Sequence, residues 1–137
     1  MSAGLTFSDL ASFGDWCEST AAALREMDLR EPLAEIESRM VQRTRENFEG
    51  CHAPDGTPWE PLKDGSGRPP LEGLAGAIES AVTDTGVSVW IEDEKAGWHQ
   101  NGTRTIPARP MVGITPAQQV EYCDIIAVGV AKKLAGG

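Results

Sequence analysis

The sequence predicts an α+β fold, because helical periodicity at both ends of the chain encloses a middle region of short β patterns. Apolar residues recur every three or four positions from Leu29 to Phe48, and again from Val120 to Leu134. Between these stretches, residues 87–91 alternate in the way expected of a half-buried strand. The length of 137 residues is enough for one domain with a modest core.

Two helices are predicted in the first fifty residues. The first runs from Ser8 to Met27, with Ser8 as a plausible N-cap. Its apolar stripe is Leu10, Phe13, Cys17, Ala21 and Leu24. The second runs from Leu29 to Glu49, capped by Asp28 and closed by Gly50. Its stripe is Leu29, Leu33, Ile36, Met40, Thr44 and Phe48. We interpret residues 1–28 as an N-terminal helical extension and residues 29–137 as a single α+β domain.

The stretch 51–70 predicts a long loop, since "APDGTPWEPL" and "DGSGRPP" are dense in Pro, Gly and Asp. Loops of this length in compact domains are usually functional or flexible. A short helix is predicted over residues 71–78. Strands follow at 78–83 and 87–92 around the turn "DTG", and then one helical turn at 96–100.

The last predicted strand is "TIPARPMVGI", Thr105 to Ile114. Pro107 and Pro110 cannot donate to a ladder, which predicts an edge position for this strand. Arg109 between them suggests an edge that faces another protein, to which its guanidinium could offer a directed pair of donors.

A C-terminal helix is predicted to open at Thr115, Pro116 and Gln118, which have the pattern of a capping box with proline in the first turn. Its apolar stripe is Val120, Cys123, Ala127, Val130 and Leu134.

The composition excludes several classes of function. A net charge of -9 opposes the gripping of a nucleic acid, which requires clustered Lys and Arg. No stretch approaches the roughly 18 apolar residues of a membrane span, and we expect no signal peptide and no membrane partner. Cys17, Cys51 and Cys123 are too scattered for a zinc ribbon or a disulfide framework.

The chain shows no pattern that points to catalysis. His99 could be a general base, but the sequence offers neither a nucleophile nor an orienting carboxylate, so hydrogen bonding near Trp98 is the alternative. A metal site could use Cys51, His52 and His99 as ligands, but their spacing in the sequence is not that of the usual metal sites. The acidic stretch 92–94 could attract a cation or simply be a solvated turn. We therefore expect no enzyme activity, no metal and no cofactor.

The tryptophans are the more informative side chains. Trp59, Trp90 and Trp98 fall in or next to predicted loops and strand ends. Tryptophan and arginine are enriched at interface hot spots, which favours a protein-binding surface. The same tryptophans could instead fill a small core.

Three segments of the chain, in order, resemble a known family. "APDGTPWEPL" is similar to the "GPDG-x-x-W-x-PL" segment of the phage virion-morphogenesis or tail-completion family. "GWHQNGT" is similar to its "YA-x-x-HQ-x-G" segment, and "TIPARPMVGIT" to its "IPARPFLGLS" segment. The resemblance covers roughly residues 29–134.

The resemblance implies a structural protein of the tailed-phage neck, located in the virion where the tail joins the head. Such proteins form rings, commonly hexamers, and contact neighbouring connector or tail-tube proteins, while DNA only passes through the channel. It also implies a small antiparallel sheet packed by helices. A tail terminator that caps the tube, or a non-structural assembly adaptor, are the alternatives. The predicted interface residues are Trp59, Trp98, His99, Gln100, Pro107, Arg109 and Pro110.

Overall fold

The computed structural model describes residues 10–136. The elements in chain order are α1 (Leu10–Glu26), α2 (Arg30–Gly50), a 3₁₀ helix (Glu72–Ala77), β1 (Ile78–Val82), β2 (Val87–Ile91), α3 (Ala96–Asn101) and α4 (Pro116–Gly136). The α+β class is confirmed, as are the predicted helices and the first two strands to within a few residues. The predicted cap at Ser8 lies outside the described residues.

The sheet is a single antiparallel hairpin within the part of the chain that the structure describes. β1 and β2 pair from Ile78 opposite Ile91 to Val82 opposite Val87. At the turn, the Thr83 N–H donates to the Gly86 carbonyl at 2.8 Å. A two-stranded hairpin is marginal alone and needs a helix against one face. α2 is that helix, and it packs on both strands.

The predicted apolar stripe of α2 is confirmed. Leu33, Ile36, Thr44 and Phe48 are buried, and Leu29 and Met40 are half-buried. Gly50 does not end the helix in the predicted way, because Cys51 takes the left-handed conformation, with φ 53°. Gly50 leaves room for a neighbour instead: a Cβ there would lie 2.5 Å from the His52 ring, which would have to move.

Two apolar clusters lie along α2. One joins Phe48 to Trp59, Leu74, Ile91 and Met111, and therefore ties the long loop and the hairpin to the end of the helix. The other joins Leu33 and Ile36 to Tyr122 of α4. The two clusters explain why α2 is the central element of the fold.

α4 begins as predicted but packs on a different face. Thr115 and Gln118 form the reciprocal capping box, with N–H donors 3.1 and 3.2 Å from the side-chain oxygens. The predicted core stripe is wrong, because Tyr122 is the buried residue of α4, while Val120 and Leu134 are 63 and 50% exposed. Tyrosine brings more apolar area to the core than Val or Cys, which favours burial of its face.

The predicted strand from Thr105 to Ile114 is also wrong. Residues 104–106 form a bend and residues 107–114 have no regular secondary structure, so the segment belongs to no ladder among the described residues. Pro107 and Pro110 lack the N–H groups that a ladder needs. Instead, the N–H of Arg109 bonds to the backbone of α3, and the carbonyl of Pro110 and the backbone groups of residues 111 and 112 bond to side chains.

Candidate functional site

The predicted interface residues come from three distant segments, which the fold joins into one hydrogen-bonded network. The segments are residues 59–61, 98–102 and 107–112, and we call them together the loop network. They are the same three regions whose sequences carried the family resemblance. The network lies at the C-terminal end of α2.

Trp59 is the apolar anchor of the loop network. Its side chain is 6% exposed and meets the Phe48 ring edge-on, with ring centroids 5.6 Å apart. Its indole Nε1–H donates to the Pro110 carbonyl at 2.8 Å. Burial of Trp59 therefore satisfies its one polar group and fixes residue 110 at the same time. Trp59 thus takes the core role that the sequence had left open.

Arg109 is the polar anchor of the network. Its residue is 5% exposed, and its Nε and Nη2 donate to the carbonyls of Glu60 and Pro61 at 2.7 and 3.2 Å. Its backbone N–H donates to the His99 carbonyl at 2.7 Å. A planar guanidinium can hold two successive carbonyls in this way, which an ammonium cannot. The Nε, Nη2 and backbone N–H donors of Arg109 bond within its own chain, so Arg109 joins the three segments.

Gln100 replaces the strand partner that residues 111–112 lack. Its Oε1 accepts the N–H groups of Met111 and Val112 at 2.7 and 3.2 Å, and its Nε2 donates to the Val112 carbonyl at 2.9 Å. Asn47 of α2 donates to the Met111 carbonyl at 2.8 Å. Met111 is 1% exposed, so these side-chain bonds satisfy backbone groups that would be costly to bury alone.

Asn47 of α2 is the residue bonded to the loop network that sequence reasoning missed. It is buried beside Phe48 although it carries an amide. The available signal was an uncharged polar residue next to the apolar stripe of a helix. Such a residue is usually buried only where its amide has a partner.

The turn between α3 and Pro107 depends on a glycine. Gly102 has φ 75°, and a Cβ on it would lie 2.9 Å from the backbone nitrogen of Ala108. Beyond it, Thr103 donates its N–H to the Ile106 carbonyl at 2.8 Å and accepts the Ile106 N–H on its hydroxyl at 3.0 Å. The turn returns the half-buried Pro107 and Pro110 to the side of α3.

Trp98 is the member of the loop network that faces solvent. It is 53% exposed, in contrast to Trp59. Next to it, His99 is half-buried, and its Nδ1 is buried with no hydrogen-bond partner among the described residues. Trp90 is also exposed but lies in β2, outside the network. Trp98 is therefore the large aromatic side chain that the network presents at its surface.

A second polar cluster lies between α2 and α4. Arg43 Nη1 donates to the Tyr122 hydroxyl at 2.7 Å, and the guanidinium carbon lies 5.3 Å from the ring centroid. Glu121 accepts from Arg43 at 2.5 Å and from Arg39. These hydrogen bonds, the one from Arg43 foremost, lower the pKa of Glu121 below its ordinary value. The cluster fixes α4 on α2.

Among residues 10–136, no group of three or more His, Cys, Asp or Glu side chains is placed to hold a metal ion. His52 Nδ1 lies 2.7 Å from the Ala53 carbonyl and so takes part in a local hydrogen bond. In the same part of the chain, no helix is both long and apolar enough to cross a membrane.

Comparison with known proteins identifies a family. The sequence model that describes the phage virion morphogenesis family matches residues 9–130 of the chain. This range includes α1, the whole loop network and most of α4. No curated protein and no solved structure matches the chain. The family match confirms the resemblance that the three segments indicated. The chain therefore belongs to the phage virion morphogenesis family, and its role is in the structure or assembly of phage particles.

Proposed function

We propose that the protein is a structural component of the tailed-phage neck, which completes the tail and joins it to the head as a ring at the top of the tail. Membership of the virion morphogenesis family supports a role in the particle. The observation that carries the neck proposal is Trp98, an exposed tryptophan on a tightly bonded loop network. An aromatic side chain held on a rigid support loses little entropy on binding and is typical of an interface hot spot.

The buried members of the network have a supporting part in this proposal. Arg109 and Trp59 fix the three segments from within, and Gln100 fixes the backbone of residues 111–112. Trp98, together with the half-buried His99 and Pro107 of the same network, is the part offered to a connector or tail-tube protein. A groove of about 540 Å³ between the long loop and α3, lined by Leu71, Lys95 and His99 among others, would receive a side chain of that partner.

The charge of the chain fits a ring through which DNA passes. A net charge of -9 repels a polyanion and so disfavours retention of DNA on the protein. We propose that DNA touches the inner surface of the ring without sequence-specific binding. We therefore expect that the protein in solution does not show the salt-sensitive DNA binding that is typical of proteins that grip phosphates.

Electron microscopy of lysates from a phage with this gene disrupted tests the proposal. Full heads beside separate tails of normal length are the expected result. Tails of irregular or extended length would indicate that the protein is a tail terminator rather than a neck protein. Normal infectious particles would overturn the structural proposal and favour a dispensable assembly adaptor.

Complementation of the disrupted gene tests the part assigned to Trp98. We expect the Trp98→Ala protein to fold and yet fail to join heads to tails. Trp90→Ala is the matched control, because Trp90 is also exposed but lies outside the loop network. Equal joining by both variants would remove Trp98 from the interface.

A further inference from the structure

The buried guanidinium of Arg109 has no counter-charge among residues 10–136. Its residue is 5% exposed, and its Nε and Nη2 donate to the neutral carbonyls of Glu60 and Pro61. Four less buried arginines of the described residues do form ion pairs with carboxylates. A charge that leaves water is costly unless an opposite charge accompanies it, so buried charges are normally paired. An anion from outside the chain would complete the surroundings of Arg109.

One nitrogen of this guanidinium is left for such an anion. Nη1 forms no hydrogen bond within residues 10–136, and it is not buried, because the buried side-chain atom without a partner in that range is His99 Nδ1. Arg109 lines the groove of about 540 Å³ between the long loop and α3. The small exposed part of its side chain therefore includes Nη1, whose two N–H donors are accessible from this groove.

Further cationic side chains line the same groove. Lys95 is exposed and forms no ion pair within the described residues, and Arg68 is exposed beside it in the lining. His99 is half-buried, and its Nε2 is neither buried nor hydrogen-bonded in that part of the chain. The groove has three cations against two carboxylates, in a chain whose 21 acidic residues far outnumber its 12 Lys and Arg. We call it the cationic groove, and its ionisable lining residues are Arg68, Glu72, Asp93, Lys95, His99 and Arg109.

We propose that the cationic groove binds the carboxylate of an acidic side chain on a connector or tail-tube protein. Arg109 is the buried member of this site, and Arg68 and Lys95 are its exposed members. The identity of the partner rests on the proposed function, whereas the affinity for a carboxylate rests on the groove alone. A guanidinium forms strong charge-assisted hydrogen bonds with a carboxylate, and the volume of the groove is within the range of about 300–1,000 Å³ usual for ligand pockets.

A phosphate of DNA is the competing anion, and the charges of the chain disfavour it. DNA is held by many phosphate contacts along a surface, whereas the cationic groove offers a single site. Outside that site, the net charge of -9 repels a polyanion. A carboxylate on a protein needs only this one site, because the surrounding interface supplies the rest of the contact.

A titration of the pure protein, followed by nuclear magnetic resonance, tests the groove. The probe is N-acetyl-glutamate amide, a glutamate with both backbone ends blocked. N-acetyl-glutamine amide is the matched uncharged probe, and inorganic phosphate represents the competing anion, all at constant ionic strength. We expect the glutamate probe to shift the Nε–H of Arg109 and the backbone amides of residues 72–74 and 95–99. The glutamine probe should leave these resonances in place.

Lys95→Ala removes one cation of the groove and spares the buried network. The side chain of Lys95 is exposed and makes no hydrogen bond within residues 10–136, so the variant should keep the fold. We expect its dissociation constant for the glutamate probe to rise about two- to fivefold, as is usual for the loss of one exposed charge. Lys133→Ala is the matched control, because Lys133 is an equally exposed lysine of α4 outside the groove, and it should bind as the wild type does. Equal dissociation constants for both variants would contradict the site.

Other results of the titration would also overturn the inference. If the glutamate probe caused no shifts, or if the glutamine probe caused equal ones, the groove would not recognise a carboxylate. Tighter binding of inorganic phosphate than of the glutamate probe would indicate a nucleic-acid backbone as the occupant in place of a protein.

Treatment of purified particles with a carbodiimide tests the partner. This reagent joins a lysine amine to a carboxylate in contact with it, and mass spectrometry of the peptides identifies both residues. We expect Lys95 to be linked to an Asp or Glu of a connector or tail-tube protein. Links to acidic residues of this chain alone, or no links at Lys95, would overturn this partner and leave the neck role standing. Absence of the protein from particles would instead overturn the neck role and with it the partner, and the titration would then decide the groove alone.

Discussion

The indole N–H of Trp59 donates to the carbonyl of Pro110 across 2.8 Å, although 51 positions separate the two residues in the sequence. This bond joins the long loop to the segment that the sequence presented as a last strand. It also shows why proline is tolerated at residue 110: the missing N–H is not required there, and the carbonyl has a donor. Several residues with the appearance of an interface therefore have an internal role first.

Trp59→Phe removes the hydrogen bond together with part of the buried ring. The phenyl ring keeps an aromatic contact with Phe48 but leaves the Pro110 carbonyl without its donor, so we expect a loss of about 1–3 kcal/mol in the free energy of unfolding. Urea denaturation followed by circular dichroism measures it. Trp98→Phe, at an exposed site, should stay within about 0.5 kcal/mol of the wild type. Equal losses from the two variants would contradict the internal role of Trp59.

Gly102→Ala should be among the most damaging small changes in the chain. With φ 75° and ψ 163°, Gly102 occupies a region that other residues rarely adopt, and its Cβ would press on the Ala108 backbone. We expect a loss of more than about 2 kcal/mol in thermal or urea unfolding. Gly67→Ala is the control, because Gly67 has φ 74° but open space around it. Gly102→Ala should therefore lose more stability than Gly67→Ala, and equal losses would rule out the contact with residue 108 as a constraint.

The sequence predicted the elements whose signal is local. The α2 stripe, the hairpin at "DTG" and the Thr115–Gln118 capping box each depend on residues within a few positions of one another. The face on which α4 packs depends instead on Pro32 and Arg43, which lie far away in the sequence. Residues 105–114 have the composition of a strand, but their bonding partners are side chains of α2, α3 and the long loop. Neither the packing face of α4 nor the bonding of residues 105–114 could be derived from the periodicity of apolar residues in the sequence.

The same reasoning applies to the candidate site. Arg109 and Trp59 were predicted as interface residues because of their types, and type alone cannot distinguish a hot spot from a buried anchor. Their burial follows from the carbonyls of residues 60, 61 and 110, which the fold brings to them. Whether Trp98, Pro107 and the other predicted residues contact a partner stays a prediction.

Substitutions of Arg109 distinguish two possible roles of its side chain, which are to donate hydrogen bonds to two carbonyls or only to carry a positive charge. Arg109→Ala leaves the carbonyls of Glu60 and Pro61 without donors, and we expect a loss of about 2–3 kcal/mol in unfolding free energy. Arg109→Lys keeps the charge but cannot hold both carbonyls, and should lie between the alanine variant and the wild type. Hydrogen exchange of residues 59–62 should accelerate in both variants. Arg104→Ala, at an exposed residue of the neighbouring turn, serves as the control.

A normal stability of Arg109→Ala would contradict the structural role. If that variant were stable and yet failed to assemble, the guanidinium would act directly on a partner, as the sequence first suggested. A variant that loses both stability and assembly would be explained by the fold alone.

Glu121 should make stability depend on acid pH. Its hydrogen bonds from Arg43 and Arg39 lower its pKa in the folded state below the ordinary value near 4.5. Its contribution is therefore complete above that value, and is lost as the pH falls through the folded-state pKa. Glu121→Gln should be less stable than the wild type near neutral pH, and the difference should shrink as the pH falls through the lowered pKa of Glu121.

Urea unfolding at several pH values measures this dependence. Glu79→Gln is the control, because Glu79 is exposed in β1 and forms no ion pair within residues 10–136. High salt should reduce the effect of Glu121→Gln, since its side chain is about one-third exposed. A difference between wild type and Glu121→Gln that grows on acidification would contradict the assignment.

Two glycines in helices should respond to alanine with opposite signs. A Cβ on Gly129 would lie 2.8 Å from Pro32 Cγ, so Gly129→Ala must push α4 away from α2. We expect a loss of about 1–3 kcal/mol from this overpacking. Gly14 of α1 has nothing within 4 Å of its would-be Cβ, and there alanine should stabilise the helix by roughly 0.5–1 kcal/mol.

The pair separates helix propensity from packing, because both substitutions add the same methyl group to a helix. Thermal unfolding of both variants, followed at the helical signal, is the measurement. Since α2 contacts α4 through the Tyr122 cluster, Gly129→Ala should also weaken the hydrogen bond between Arg43 and Tyr122, which the environment of the single tyrosine would report. If Gly129→Ala stabilised the protein, α4 would have to lie further from Pro32 than in the structure. The close approach of Gly129 to Pro32 would then no longer explain the face on which α4 packs.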